Sequence, residues 1–263
     1  MRTALVSLAH AVRGRQTQRS VVLVYHKVAP VPPADDPWTV SIATFARHLE
    51  ILTAEGFRDV MLEELESATD EPEGLTVLIA FDDGYRSAVE LALPVLRAAR
   101  RRAAFFLVAG AFGGMSEWER PFGLRPSRLV DTSDALHLVR EGMSIGSHSM
   151  THTDLRAADE PSIEREVVGS KAALEHALGV TVRSFAVPYG RDDGRLDRHL
   201  VRAGYARKFT NPLAASRTTA LKAYPVTGIV QGESLRAFRH HLSGADEIVH
   251  AYHRVRAMLE RKS

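Results

Sequence analysis

The sequence predicts an α/β fold, a (β/α) barrel that is distorted or incomplete and has about seven to eight strands. Three observations carry this prediction. Short apolar, β-branched runs alternate with stretches of helical periodicity, the order expected of parallel strands joined by crossover helices. About seven such units fit within 263 residues, a length that a single barrel domain can use. Four of the runs also end in polar residues, at Tyr25-His26, Asp82-Asp83, His148 and Pro188-Tyr189, and a parallel barrel gathers such ends on one face. A doubly wound open sheet is the competing architecture, because spacing alone does not show closure.

The elements follow in order. Residues 21–24 are a continuous Val/Leu run and read as a buried strand ending at Tyr25-His26. Residues 30–37 form a Pro/Asp-rich loop. Phe45, Leu49, Leu52 and Phe57 fit a helical stripe that begins near Ile42 and is closed by Gly56. Residues 76–79 are a second strand, 89–99 a helix and 103–108 a third strand. Residues 109–126 form a Gly-rich loop holding Trp118. A helix over 132–140 with Gly142 beyond its end leads to a short strand, 143–146, which runs into Ser147-His148. In the helix at 161–178, Ile163, Val167, Ala172 and Leu174 share a face, and Gly179 stops it. A strand over 182–187 ends in Pro188-Tyr189-Gly190. Then come a helix at 196–203, strands at 205–209 and 224–230, and helices from about Leu235 and Glu247. Residues 1–263 read as one domain, with 1–19 a leader or helical extension. The run from Thr3 to Ala9 is at the weak limit for a signal peptide, and Leu5, Leu8 and Val12 also suit an amphipathic helix.

Composition narrows the chemistry. The chain is 45% hydrophobic and 25% charged, which suits a soluble globular protein with a sizeable core. It has no cysteine, so disulfides, iron–sulfur clusters and a Cys nucleophile are excluded, and any metal is held by His, Asp or Glu. Only five of its 34 basic residues are lysine, and the net charge of +2 does not imply nucleic acid. Arg97, Arg100, Arg101 and Arg102 lack interleaved aromatics and read as a solvated helix end. No run reaches the roughly 18 apolar residues needed to span a bilayer.

Asp82-Asp83-Gly84 sets two carboxylates side by side after an apolar strand. Adjacent residues leave a strand in opposite directions, so one can bind a metal while the other acts as a base. Asp-Gly is also a common turn pair, and Arg191-Asp192-Asp193-Gly194 reads as a turn and helix start. His148 and His152 are spaced i, i+4, so on one helical turn both imidazoles can face a single ion. Ser149 stands where an HExxH protease would carry its glutamate, which disfavours that class. A carboxylate with two imidazoles makes a three-ligand site with open positions, the catalytic pattern.

These residues resemble those of the NodB-like polysaccharide deacetylases, a family of metal-dependent carbohydrate de-N-acetylases. The family's first motif, T-F-D-D-G, stands here as Ala80-Phe81-Asp82-Asp83-Gly84. Its second, H-S/T-x-x-H, stands as His148-Ser149-Met150-Thr151-His152, and its third, ending in P-Y-G, as residues 185–190. Tyr25-His26-Lys27-Val28, the Phe45…Gly56-Phe57 helix and the Trp118 loop are similar to one branch of the family. The resemblance implies Asp82 as general base and Asp83, His148 and His152 as ligands of a divalent ion, zinc above cobalt or nickel. It also implies that the backbone of Pro188-Tyr189, through the Tyr189 N–H, stabilises an oxyanion. Such an ion polarises a poorly electrophilic acetamide and acidifies water, a carboxylate takes the proton, and a backbone donor meets the developing charge.

The sequence departs from the wider family pattern in three places. Ala80 replaces a threonine, Ala186 stands where many members carry an arginine, and no late Leu-x-His motif follows. His240 and His241 read as surface residues. In the similar branch the early histidine, here His26, is thought to be the acid. The expected function is therefore removal of acetyl from an N-acetylated sugar or polysaccharide. An O-acetyl esterase or cyclic-amide hydrolase on the same scaffold, or a catalytically silent carbohydrate-binding protein, are the alternatives. The expected partner is the N-acetylated carbohydrate, with no nucleic acid and no integral membrane segment, and the oligomeric state is open. With no cysteine and a marginal leader, a cytoplasmic site of action is expected, export being the alternative.

Overall fold

The computed structural model describes residues 19–65, 74–211 and 221–243. Its centre is a parallel sheet formed by β1 (Arg19–Tyr25), β5 (Leu75–Phe81), β6 (Ala104–Leu107), β7 (Ser144–Ser147), β8 (Ser184–Ala186), β9 (Arg207–Thr210), β10 (Lys222–Pro225) and β11 (Thr227–Gly228). The hydrogen-bonded order is β10-β9-β8-β7-β6-β5-β1-β11. β10 and β11 lie at opposite edges of that order, yet only Val226 separates them in sequence. One stretch of chain thus pairs first with β9 and then with β1, where Leu23 faces Thr227. The sheet is nearly closed, a distorted (β/α) barrel rather than the open doubly wound alternative. Three short strands went unread in the sequence: β2 (Lys27–Ala29) and β3 (Thr39–Ser41), which pair with each other, and β4 (Arg58–Asp59), which pairs with β5.

Helices cover the outside of the barrel: α1 (Ile42–Ala54), α2 (Leu93–Ala98), α3 (Thr132–Arg140), α4 (Glu160–Glu164), α5 (Ser170–Leu178), α6 (Leu196–Arg202) and α7 (Leu235–Leu242). The helix expected over 161–178 is α4 and α5 joined through a π-helical turn, Arg165–Gly169. A second π turn, Ala88–Ala92, precedes α2. Phe57 lies beyond α1 rather than on it, its N–H donating back to Leu52 O (2.9 Å) past the left-handed Gly56. The expected helix near Glu247 and the N-terminal extension lie outside the described residues.

Strands buried on both faces explain the continuous apolar runs. Val21, Leu23, Tyr25, Val77, Ile79 and Phe81 belong to the layer beneath the helices. Their alternates Val22, Val24, Leu78 and Ala80 join Phe106, Ala186, Phe209 and Tyr224 in a second cluster inside the barrel. Phe106 requires a glycine beside it, since a Cβ at Gly146 would meet its ring at 2.3 Å. The period of two positions the site: counting on by two from Val24 and Ala80 reaches His26 and Asp82, at the end of the barrel interior.

Candidate active site

Asp82 and Asp83 line one cleft at the C-terminal ends of the strands, together with His26, His148, His152 and Tyr189. Side chains of a continuing strand would diverge at two successive aspartates. Here Asp83 has a φ of 70°, which breaks the strand and keeps both carboxylates in the cleft. Pro188, expected at the oxyanion site, is buried and is not among the residues lining the cleft.

The two histidines do not share a helical turn. His148 follows β7 directly, and residues 148–154 form a loop in which Ser149 (φ 68°) and His152 (φ 60°) are left-handed. The reversal at these two residues brings the imidazoles together. Ser149 Oγ accepts from His152 N at 3.0 Å, while the Ser149 and Met150 carbonyls accept from Ala109 N and Gly110 N at 3.0 and 2.8 Å. Glu166, a buried residue of the π turn, accepts from the N–H groups of Met150 and Thr151, both at 2.9 Å, and from the Thr151 hydroxyl. A Glu on a predicted helix face gave no sign of this role.

His148 Nε2 lies 3.1 Å and His152 Nε2 3.0 Å from Asp83 Oδ1. The three ligand atoms lie within 4.8 Å of one another, and all three residues are buried. Ligands sharing one tetrahedral ion at about 2.0–2.1 Å would sit about 3.3 Å apart, so the set suits a small divalent cation. His148 Nδ1 donates to Ala186 O at 3.0 Å, which leaves the Nε2 lone pair facing Asp83. Asp82 Oδ1, Asp83 Oδ1, His26 Nδ1 and His152 Nδ1 are buried with no protein hydrogen-bond partner. Buried polar atoms are ordinarily paired, and their concentration here is that of a site built for something else to occupy.

The electrostatics separate the groups. Burial pushes the Asp82 carboxyl up to about 7, outweighing the pull of His148. Burial would raise Asp83 as well, but the His152 and His148 imidazoles hold it well below the usual carboxylate range. His26 is pushed down to about 4 by burial, which exceeds the opposing pull of Asp83, so its imidazole is neutral at neutral pH. Tyr85, two residues after Asp83, hydrogen-bonds to the Asp83 side chain. Aromatic rings flank the imidazoles, Trp38 against His26 (centroids 4.9 Å apart) and Trp118 against His152 (4.5 Å). The cleft encloses about 960 Å³, counting its open mouth. Trp38, Tyr85 and Glu166 were not singled out from sequence.

Three groups read as turn or surface are buried anchors. His241 is paired with Glu233 rather than exposed. Arg101 donates to Phe57 O (2.8 Å) and to Asp59 (2.7 Å). Asp192 and Asp197 enclose the fully buried Lys208 ammonium.

Residues 69–207 match the family model described as polysaccharide deacetylase. The chain belongs to that family. Among its relatives is the YxkH protein of Bacillus subtilis (strain 168), which carries a polysaccharide deacetylase name and is 23% identical over 221 residues, 82% of this chain and 74% of YxkH. A chitooligosaccharide deacetylase of Sinorhizobium fredii is 29% identical over 116 residues, 44% of this chain and 47% of that protein. In three dimensions the chain is similar to Streptococcus pyogenes deacetylase PplD, solved in complex with acetate (TM-score 0.72, 21% identity, 86% of this chain and 99% of that one). It is also similar to IcaB from Ammonifex degensii (TM-score 0.67, 24% identity, 88% and 99%). At these identities the likeness is one of fold. It agrees with the nearly closed barrel, and the family model spans Asp82, Asp83, His148, His152 and Tyr189.

Proposed function

We propose that this polysaccharide deacetylase is a metal-dependent hydrolase that removes acetyl from an N-acetylated sugar, alone or within a glycan. One observation carries the reading: Asp83, His148 and His152 converge within 4.8 Å beside a second carboxylate, Asp82, whose Oδ1 is buried with no protein partner. The relative named for chitooligosaccharides, which are N-acetylated chains, supports an amide over an ester.

Asp83, His148 and His152 would hold the ion, zinc being the expected one with cobalt or nickel as substitutes. When bound, a divalent ion supplies polarisation of the acetamide carbonyl and acidification of water. The residues of the chain do the rest. Asp82, its carboxyl raised to about 7, accepts a proton from the water that attacks the carbonyl carbon. The Tyr189 backbone N–H, at a left-handed residue (φ 59°) beyond β8, would meet the developing oxyanion. The C–N bond then breaks as the nitrogen gains a proton, giving acetate and an amine. That proton comes from Asp82, and His26, on the same cleft, passes it to the leaving nitrogen. A metal assay of the purified protein, followed by acetate release from matched N-acetyl and O-acetyl sugars, tests the reading. Zinc in one-to-one ratio with faster release from the amide is expected. A metal-free protein that binds sugar without turnover, or faster release from the ester, refutes it.

A further inference from the structure

Lys27 follows His26 directly and opens β2, yet its side chain points away from solvent, and the residue is 5% exposed. Its ammonium pairs with Asp36 Oδ2 at 2.6 Å and with Glu119 Oε1, and lies 5.0 Å from the centre of the Tyr85 ring. The two carboxylates come from different loops. Asp36, in the loop before β3, also accepts from Trp38 N (3.1 Å) and Thr39 Oγ1 (2.7 Å). Glu119 follows Trp118 in the 3₁₀ turn Glu117–Phe122 and also accepts from Ser116 Oγ. The Lys27 backbone N–H donates to Trp38 O at 3.2 Å. One lysine therefore grips the residue two before one indole and the residue directly after the other. These are the only two tryptophans in the chain. Their rings pack against His26 and His152, the two imidazoles of the cleft that have an unpartnered buried Nδ1.

We propose that Lys27 is a positioning residue that ties the two tryptophan loops together through Asp36 and Glu119, presetting the mouth through which the sugar enters. The argument is one of charge and connectivity. A single buried cation stands between two carboxylates that would repel each other more strongly without it, so each loop is held by the same ammonium. The walls are ordered before substrate arrives, and binding does not have to order them. That the occupant is a sugar rests on the function proposed above, whereas the tie between the loops does not.

Tryptophan emission reads the tie directly, because no other indole contributes. Trp38→Phe and Trp118→Phe each leave one reporter, and acrylamide quenching measures how freely that indole is reached. Glu119→Gln should raise the quenching constant of Trp118 at least about two-fold and leave Trp38 unchanged, and Asp36→Asn the reverse, as for local opening of one loop at a time. Lys27→Met should raise both. With a sugar substrate, Lys27→Met should raise KM about ten-fold with kcat and zinc affinity little changed, the cost of ordering two side chains on binding. Unchanged quenching in folded Glu119→Gln and Asp36→Asn proteins overturns the proposal, as does a fall in kcat and zinc affinity at constant KM. Should Lys27→Met not fold, the two single-carboxylate variants still decide. Absence of turnover on every N-acetyl sugar in the parent protein would refute the proposed function, and the quenching result would still stand for or against the tie.

Discussion

Replacing Glu166 with alanine tests how the histidine loop is held. Its carboxylate accepts from two backbone N–H groups at 2.9 Å each and from the Thr151 hydroxyl, all within two residues of His152. Alanine leaves these donors without their acceptor. A hydrogen bond to a charged group contributes about 1.5–3 kcal/mol, and the partial exposure of Met150 and Thr151 lets water recover part of that, so a loss of about 2–4 kcal/mol is expected. In a protein of this size that lowers Tm by on the order of 10 °C. The left-handed turn at Ser149 and His152 has less to hold it, so zinc affinity should fall about 10- to 100-fold, as for other residues that orient ligands. Glu166→Gln keeps an acceptor and should lose less of both. Thermal unfolding of the metal-free protein and zinc titration against a competing chelator are the assays. If Glu166→Ala keeps its Tm within about 2 °C, below the shift expected for 1 kcal/mol, and its zinc affinity, the loop is held by something other than this carboxylate.

Three further outcomes follow from the site. Replacing Asp83, His148 or His152 by alanine should sharply lower metal occupancy, and stoichiometric zinc retained by His148→Ala contradicts the ligand assignment. Asp82→Asn should keep its metal and lose about 10²- to 10⁴-fold in turnover, whereas parallel loss of metal would make Asp82 a ligand. Its pH signature has a definite sign: a carboxyl raised from 3.8 to about 7 on folding contributes stability that is present below pH 4 and lost as pH rises through 7. Asp82→Asn should therefore stabilise the metal-free protein relative to the parent at pH 8 but not at pH 4, as read by Tm, and equal differences at the two values refute the shift. His26→Ala should keep metal while kcat falls at least about 10²-fold, with less loss on an ester whose leaving group needs no proton, and an equal loss on both rejects His26 as the proton donor.

The barrel was legible because its strands are buried on both faces, which leaves unbroken runs such as Val21 to Val24 and Thr76 to Ile79. The short strands β2, β3 and β4 were not, since two or three residues carry no readable period. The π turns also escaped, because one inserted residue barely disturbs a helical pattern. The meeting of Asp83, His148 and His152 could be read from residue types and spacing, but the reason for that spacing could not. An i, i+4 histidine pair suggested a helix, whereas the structure reaches the same convergence through two left-handed residues in a loop. Lys27, Glu119 and Glu166 act across separations of 92 and 16 residues, and such partners become neighbours only once the fold is known.

Backbone conformation gives an independent reason to read this cleft as the functional centre. Among the described residues five non-glycine residues have positive φ, and Asp83, Ser149, His152 and Tyr189 are four of them. Each such residue costs about 1–3 kcal/mol and persists only where its surroundings over-determine it. The cleft meets that condition. Tyr85 holds the Asp83 carboxylate, and Ser149 Oγ and Glu166 hold the turn that carries His152. Packing alone does not call for these conformations, since a glycine or a longer loop would close the same barrel end without strain. What they achieve is convergence: the Asp83, His148 and His152 side chains meet beside the Asp82 carboxylate, from the ends of two strands, β5 and β7. Part of what offsets that strain lies outside the motifs, and Glu166 is the first such residue.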